Sequence, residues 1–232
     1  MGQYLHGFDT IDKLKCLNFC SRQVIESLFA LQLIVTTDKK PNPRNTEIEN
    51  LINCRPEDID GLSSSRMFII YQASIYRTLL RPKAEEELAL IRQADLEIEF
   101  ERRRRELNYG AASRLSCVYL VENTFDSRLL LQSMFADFFW NPKIVEVDIL
   151  NSIEITKCDV TWLNKYYEEP KDEYIVNYWT GVPSNENYST WEYLLEGTIQ
   201  MTNPDEIEDI IDDVRINFPT EYQAILLDRQ TN

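Results

Sequence analysis

Apolar residues recur at helical spacing through the first hundred residues and then at strand spacing. Residues 22–33 carry Val24, Ile25, Leu28, Phe29 and Leu31, which predicts a helix or a helix-to-strand transition. Residues 47–52 and 62–80 also read as helical, the latter through Met67, Ile70, Tyr71, Ile75 and Leu79. Between these segments, Asp38-Lys39-Lys40-Pro41-Asn42-Pro43-Arg44 combines prolines with charge and predicts a loop over 36–46. Pro82 followed by Glu85-Glu86-Glu87 marks a helix start, and Arg102 to Arg105 crowd its end, the polarity that the helix dipole favours. From residue 113 the period changes. Leu115 to Val121 is a short buried-strand pattern, residues 127–139 carry an apolar helical stripe ending at Asn141-Pro142, and 144–149 with 153–158 read as a strand pair broken at Asn151. Short helices are predicted near 160–167 and 171–179, a strand over 193–201, and a helix opened by Asn203-Pro204-Asp205-Glu206 that runs to about Val214. The pattern predicts an α+β fold: a mostly helical N-terminal half, 1–108, then a mixed, largely antiparallel β core with helices, 109–202, and a C-terminal helix and tail, 203–232. At 232 residues the chain is expected to form a single domain.

Composition narrows the function classes. Lys and Arg total 24 against 39 Asp and Glu, a net charge of −15, which argues against a general nucleic-acid coat or an anionic-membrane binder. With 44% hydrophobic residues there is material for a proper core. Met1 to His6 lacks the basic and apolar regions of a secretory signal, no stretch approaches 18 uncharged apolar residues, and His6 stands where a myristoylation motif wants Ser or Thr, so the expected location is the cytoplasm, with no membrane partner. Five scattered cysteines, Cys16, Cys20, Cys54, Cys117 and Cys158, suit reduced thiols. With one histidine and one close pair, Cys16-x-x-x-Cys20, no metal site is expected. The lone His6 also argues against Ser-His-Asp or Cys-His hydrolysis, and the six glycines never cluster into a nucleotide-binding loop.

Three groups of residues lie far apart yet keep a recognisable order. Glu101-Arg102-Arg103-Arg104 is followed ten residues after Arg104 by Ser113-Arg114 and a strand. Asp159-Val160-Thr161-Trp162 precedes Tyr178-Trp179-Thr180-Gly181. Trp191-Glu192-Tyr193-Leu194-Leu195-Glu196-Gly197 opens the last strand. Together they resemble a group of prokaryotic and phage domains similar to ADP-ribosyltransferases, whose pattern runs Glu-x-x-Arg, Pro-Ser-Arg, Asp-x-x-Trp, Tyr-Trp-x-Gly and Glu-x-Leu-x-x-Gly. The resemblance covers about residues 97–201, with Ala112 where that group has proline. It implies an ADP-ribosyltransferase-like core that uses NAD as substrate and no metal. It also implies a toxin or phage-defence setting, a macromolecular acceptor that is RNA, DNA or protein, and an antitoxin or other neutralising protein.

Breaking the C–N bond of NAD develops positive charge on the ribose, so a site needs a carboxylate beside that centre. The resemblance nominates Glu192 as the catalytic residue; otherwise it is a surface glutamate at the start of a strand. Arg114, just ahead of a buried strand, suits the NAD pyrophosphate, its alternative being a salt bridge to one of the many carboxylates. Tyr178 and Trp179 supply a flat wall for nicotinamide or adenine, or else belong to the core. Arg104 is brought towards the same cleft if it pairs with Glu101 at i, i+3. His6, in His6-Gly7, resembles the His-Gly that opens many NAD pockets, against a partly exposed terminal histidine. The four arginines 102–105 fan around a helix and read as a solvated end or as a phosphate patch. A different class of answer is a non-catalytic acidic interaction module with a degenerate ADP-ribosyltransferase-like fold, supported by the net charge and by six carboxylates in 205–213, which read more simply as a solvated helix face.

Overall fold

A computed structural model describes residues 2–34, 43–55, 65–135, 142–186 and 188–231. The chain is mixed α+β with an antiparallel sheet, in the order β1 (Tyr4–Phe8), α1 (Lys13–Arg22), β2 (Ile25–Glu26), α2 (Leu28–Ile34), α3 (Ile48–Ile52), α4 (Ser65–Thr78), α5 (Glu85–Leu107), β3 (Val118–Glu122), α6 (Phe125–Phe135), β4 (Lys143–Asp159), α7 (Val160–Glu168), α8 (Asp172–Trp179), β5 (Trp191–Met201), α9 (Pro204–Asn217) and α10 (Pro219–Thr231). No helix among the described residues is long and apolar enough to cross a membrane. Of the predicted loop, residues 36–42 lie outside the described residues, as do 62–64 and 136–139 of the predicted helical segments.

The chain divides into two compact units that are interleaved in sequence rather than following the order helical part, core, tail. One comprises Met1–Glu26, Tyr119–Ser152 and Gly197–Asn232; the other comprises Ser27–Val118 and Ile153–Glu196. The first unit is built on the sheet, with strand order β2-β5-β3-β1-β4. β1 pairs antiparallel with β3 through Leu5 and Val121, and with β4 through Leu5 and Glu146. Leu5, Phe8, Val145, Val147 and Ile199 are buried; by the β1–β4 register Phe8 shares a face with Val145 and Val147 while Leu5 lies on the opposite face, so both faces of the sheet are covered there. α1 packs with α9 and α10, joined at the rim by an ion pair between Lys13 and Glu221. α9 begins at Pro204, where the Asn203 side chain accepts the Asp205 N–H at 3.1 Å.

β4 is one strand of 17 residues, not the pair expected from Asn151. Asn151 and Ser152 are exposed polar positions on a continuous ladder, and β4 also pairs with β5. Gly197 explains how the strand passes there unbroken. A Cβ at this position would lie 2.1 Å from the Asn151 carbonyl oxygen, so only glycine admits the approach.

The second unit is mostly helical and also holds residues 153–159 of β4 and 191–196 of β5. α4 and α5 pack along their length over Met67, Ile70, Ala73, Ala94, Ile98 and Leu115, with Leu51 and Cys54 from the α3 region closing the cluster. Glu87 in the first turn of α5 accepts the Ala84 N–H at 2.8 Å and binds Arg81 through both its oxygens, which anchors the start that Pro82 foreshadows. A second apolar group joins α5 to α8. Phe100 meets Tyr178 and Tyr166 edge-on at 5.1 and 5.4 Å, and the Trp179 indole N–H donates to the Phe100 carbonyl at 3.0 Å. Asp159 caps α7 by accepting the Thr161 N–H at 2.9 Å and takes the Ser184 N–H at 2.7 Å on its other oxygen. Those bonds outweigh burial, which alone would raise its carboxyl, and hold it below the usual range.

Candidate functional site

The inward stripe of α5 is where the helix departs from an apolar pattern. Ala94, Glu97, Ile98, Glu101 and Arg104 follow helical spacing, and all five are buried, three of them charged. Facing them is the segment Ala112-Ser113-Arg114-Leu115, also buried. Two hydrogen bonds pin this segment. The Ala112 N–H donates to Thr156 Oγ1 at 2.9 Å, and the Ser116 N–H returns to the Ser113 carbonyl at 3.1 Å, making a tight turn ahead of β3.

Arg114 is 1% exposed and sits between two carboxylates. Its Nε and Nη2 donate to the two oxygens of Glu97 at 2.9 and 3.1 Å, a bidentate fork, while Nη1 donates to Glu192 Oε1 at 2.7 Å and to the Tyr178 hydroxyl at 2.5 Å. The Tyr178 hydroxyl in turn donates to the same Glu192 oxygen at 2.5 Å. Arg66 reaches Glu97 from α4 at 3.1 Å. Burial pushes the Glu97 carboxyl up, but Arg114 and Arg66 outweigh it and hold the group below the usual carboxylate range. Arg114 therefore forms one hydrogen-bonded cluster with Tyr178 and Glu192, which lie 64 and 78 residues further along the chain. Glu192 differs from its partners: its side chain keeps 11% exposure, and its second oxygen, Oε2, takes no hydrogen bond from a described residue.

A second cluster adjoins the first through the consecutive residues Ser113 and Arg114. Glu101 binds Arg104 through both oxygens at 2.8 and 3.0 Å, takes Arg105 Nε at 2.9 Å and accepts the Ser113 hydroxyl at 2.8 Å. Arg104 Nη1 donates to the carbonyls of Tyr109 and Ala111 at 2.7 and 2.9 Å. Glu196, four residues beyond Glu192 and on the same face of β5, accepts the Ser113 N–H at 3.2 Å and the Ser116 hydroxyl at 3.3 Å, and pairs with Arg44. Burial raises the Glu196 carboxyl despite those contacts.

These positions qualify several expectations. Arg114 spends its fork on Glu97 and Glu192, so the salt-bridge alternative describes its contacts and no edge is left for a pyrophosphate. Tyr178 and Trp179 are 0% and 2% exposed, so neither presents a ring face as a wall, and Arg104 gives its donors to the protein. The other arginines of the run, Arg102, Arg103 and Arg105, pair with Glu99, Glu106 and Glu101. His6 belongs to the other unit. It is half-buried, its Nδ1 lies 2.9 Å from the Tyr119 carbonyl, and burial lowers its pKa to about 4, leaving the ring neutral at physiological pH. Glu97, Glu196, Arg44 and Arg66 are the members that sequence reasoning missed. The signal for Glu97 was available, since it lies on the same helical stripe as Ala94 and Ile98.

Comparison with curated proteins finds no match. A family profile described as a protein of unknown function (DUF2441) matches residues 44–213, which contain every residue of both clusters. The chain therefore belongs to the DUF2441 family.

Proposed function

We propose that the Glu192 cluster is the site of an ADP-ribosyltransferase-like enzyme that takes NAD as substrate and modifies a macromolecule in the cytoplasm. The observation that carries the reading is the state of Glu192, a carboxylate clamped through one oxygen by Arg114 and Tyr178 with its other oxygen left for a ligand. NAD supplies the ADP-ribosyl group, released as its bond to nicotinamide breaks with the electron pair staying on the ring nitrogen. Fixed negative charge beside the ribose favours that loss, because the clamp keeps the carboxylate in place and needs no reorganisation as the cation develops. Arg114 and Tyr178 are positioning residues here: they orient Glu192 and do not touch the pyrophosphate, since Arg114's donors are taken.

One observation favours a second reading. Arg114 and Tyr178 are sealed from solvent and mutually satisfied, as in a structural ion network, which is what a non-catalytic interaction module with a degenerate site would retain. The deciding experiment incubates purified protein with labelled NAD and separate protein, RNA and DNA fractions of a bacterial lysate, alongside Glu192→Gln. Label entering one fraction only with the intact glutamate supports transfer and identifies the acceptor class. Absence of both label and nicotinamide release with every fraction overturns the enzyme reading in favour of the binding module.

A further inference from the structure

Within the second unit, an open cleft of about 470 Å³ is lined among others by Phe29, Arg44, Asn45, Tyr109 and Glu154, and the fully buried Glu196 pairs with Arg44 behind the lining. That volume falls within the roughly 300–1,000 Å³ of small-molecule sites. Its charge is uneven. Arg44 is neutralised by Glu196, and its Nη2 donates to the carbonyls of Tyr109 and Gly110 at 3.2 and 3.1 Å. The Glu154 side chain makes no ion pair or hydrogen bond among the described residues, so the formal sum over Arg44, its buried partner Glu196 and Glu154 is 1 − 2 = −1. Its aromatic content is open as well. Tyr109 is 61% exposed, and wholly buried Arg104 lies 5.8 Å from the ring on its inner side. Phe29 already carries a planar cation, the Arg44 guanidinium, at 5.4 Å from its centroid.

We infer that this cleft is a binding site for a planar, delocalised organic cation, which lies against the exposed Tyr109 ring and pairs with Glu154. The neighbouring Arg44 guanidinium shows the chemistry that the surroundings accept: a flat cation on a ring, with a carboxylate and backbone carbonyls at its edge. An anion is disfavoured by the net charge, and a compact ammonium cannot spread over a ring and a carboxylate at once. Two sources share the chemistry: the guanidinium of an arginine side chain on a partner protein, and the N-alkylpyridinium of an oxidised nicotinamide. The inference does not rest on Glu192 performing catalysis.

The test is ligand-observed saturation-transfer NMR on the full chain with agmatine, 1-methylnicotinamide and cadaverine as probes, against Glu154→Gln and Tyr109→Leu. At least one planar probe binds more tightly than cadaverine by about fivefold or more. Its affinity falls by up to about fivefold in Glu154→Gln and by about two- to fivefold in Tyr109→Leu. Binding of agmatine alone assigns the cleft to an arginine side chain, and binding of 1-methylnicotinamide alone assigns it to a pyridinium. Equal binding of cadaverine, no binding of either planar probe, or affinities unmoved by both substitutions overturns the inference. Because binding is read without turnover, loss of NAD chemistry leaves the result standing, and loss of cation binding leaves the Glu192→Gln test standing.

Discussion

Replacing Arg114 by methionine keeps the bulk of the side chain and removes the cation that two carboxylates share. In the native cluster Arg66 and Arg114 face Glu97 and Glu192, 2 − 2 = 0; in the variant the sum is 1 − 2 = −1, with Glu97 1% exposed. Removing one partner of a buried pair costs about 3–5 kcal/mol, because the other charge stays behind in a poorly solvated place. Glu97 retains Arg66 and Glu192 retains Tyr178, so the lower end, about 3 kcal/mol, is expected here. For a chain of this size that is a fall in Tm of roughly 6–12 °C. Urea unfolding followed by far-UV circular dichroism and tryptophan fluorescence together measures it. Adding Glu97→Gln to Arg114→Met restores the balance to 1 − 1 = 0 and should recover part of the loss, a coupling of about 0.5–3 kcal/mol. Acid provides an independent check. Since the folded Glu97 carboxyl lies below its unfolded value, its contribution is present above the unfolded pKa of about 4.3 and disappears as pH falls through the folded value. In Arg114→Met that acid-side loss should flatten. A destabilisation below about 1 kcal/mol, or an unchanged acid slope, would refute the claim that Arg114 compensates buried charge.

Other consequences follow from the same structure. Gly197→Ala forces a Cβ against the Asn151 carbonyl and should cost at least about 2 kcal/mol in denaturant unfolding; wild-type stability would count against the close approach. None of the five cysteines is in a disulfide and all are buried, and burial pushes Cys16 to about 12 and raises Cys117 and Cys158, so iodoacetamide at about pH 8 should label them slowly in the native protein and fully after denaturation, as read by mass spectrometry. His6 should titrate near pH 4 by NMR. Its folded pKa lies below the unfolded value of about 6.5, so its contribution to stability is present above about pH 6.5 and is lost as pH falls towards 4; titration near 6.5 would contradict its burial.

Local pattern revealed the elements whose stripes are long and apolar. α4, α5, α7, α8 and α9 lie close to their expected positions because each shows several turns of periodicity or a cap, as Asn203-Pro204 does for α9. β1, α1 and α10 escaped notice. Tyr4–Phe8 is five residues with glycine inside it, and Lys13–Arg22 is a short helix of 10 residues interspersed with Lys13, Lys15, Asn18 and Arg22, so neither period stands out without the packing that buries it. In the cluster, the Glu101–Arg104 pair was legible because it is local. The links from Arg114 to Glu97, 17 residues back, and to Glu192, 78 residues on, were not, because no short window contains both ends. Arg44 was assigned to a loop for its prolines and charge, and only the fold pairs it with Glu196.

Ser113 and Arg114 are neighbours in the chain, and each addresses a different carboxylate on one face of β5, Ser113 through its N–H to Glu196 and Arg114 through its guanidinium to Glu192. Two contacts four residues apart act as a two-pin key for alignment. A slip of β5 by one residue would turn Trp191 or Tyr193 towards the guanidinium and Leu195 towards the Ser113 amide, leaving both carboxylates on the outer face. Apolar packing tolerates such slips when neighbouring residues are similar in size; a buried arginine facing an indole does not. The ion pairs that add little to net stability thereby select a single strand alignment among the near alternatives.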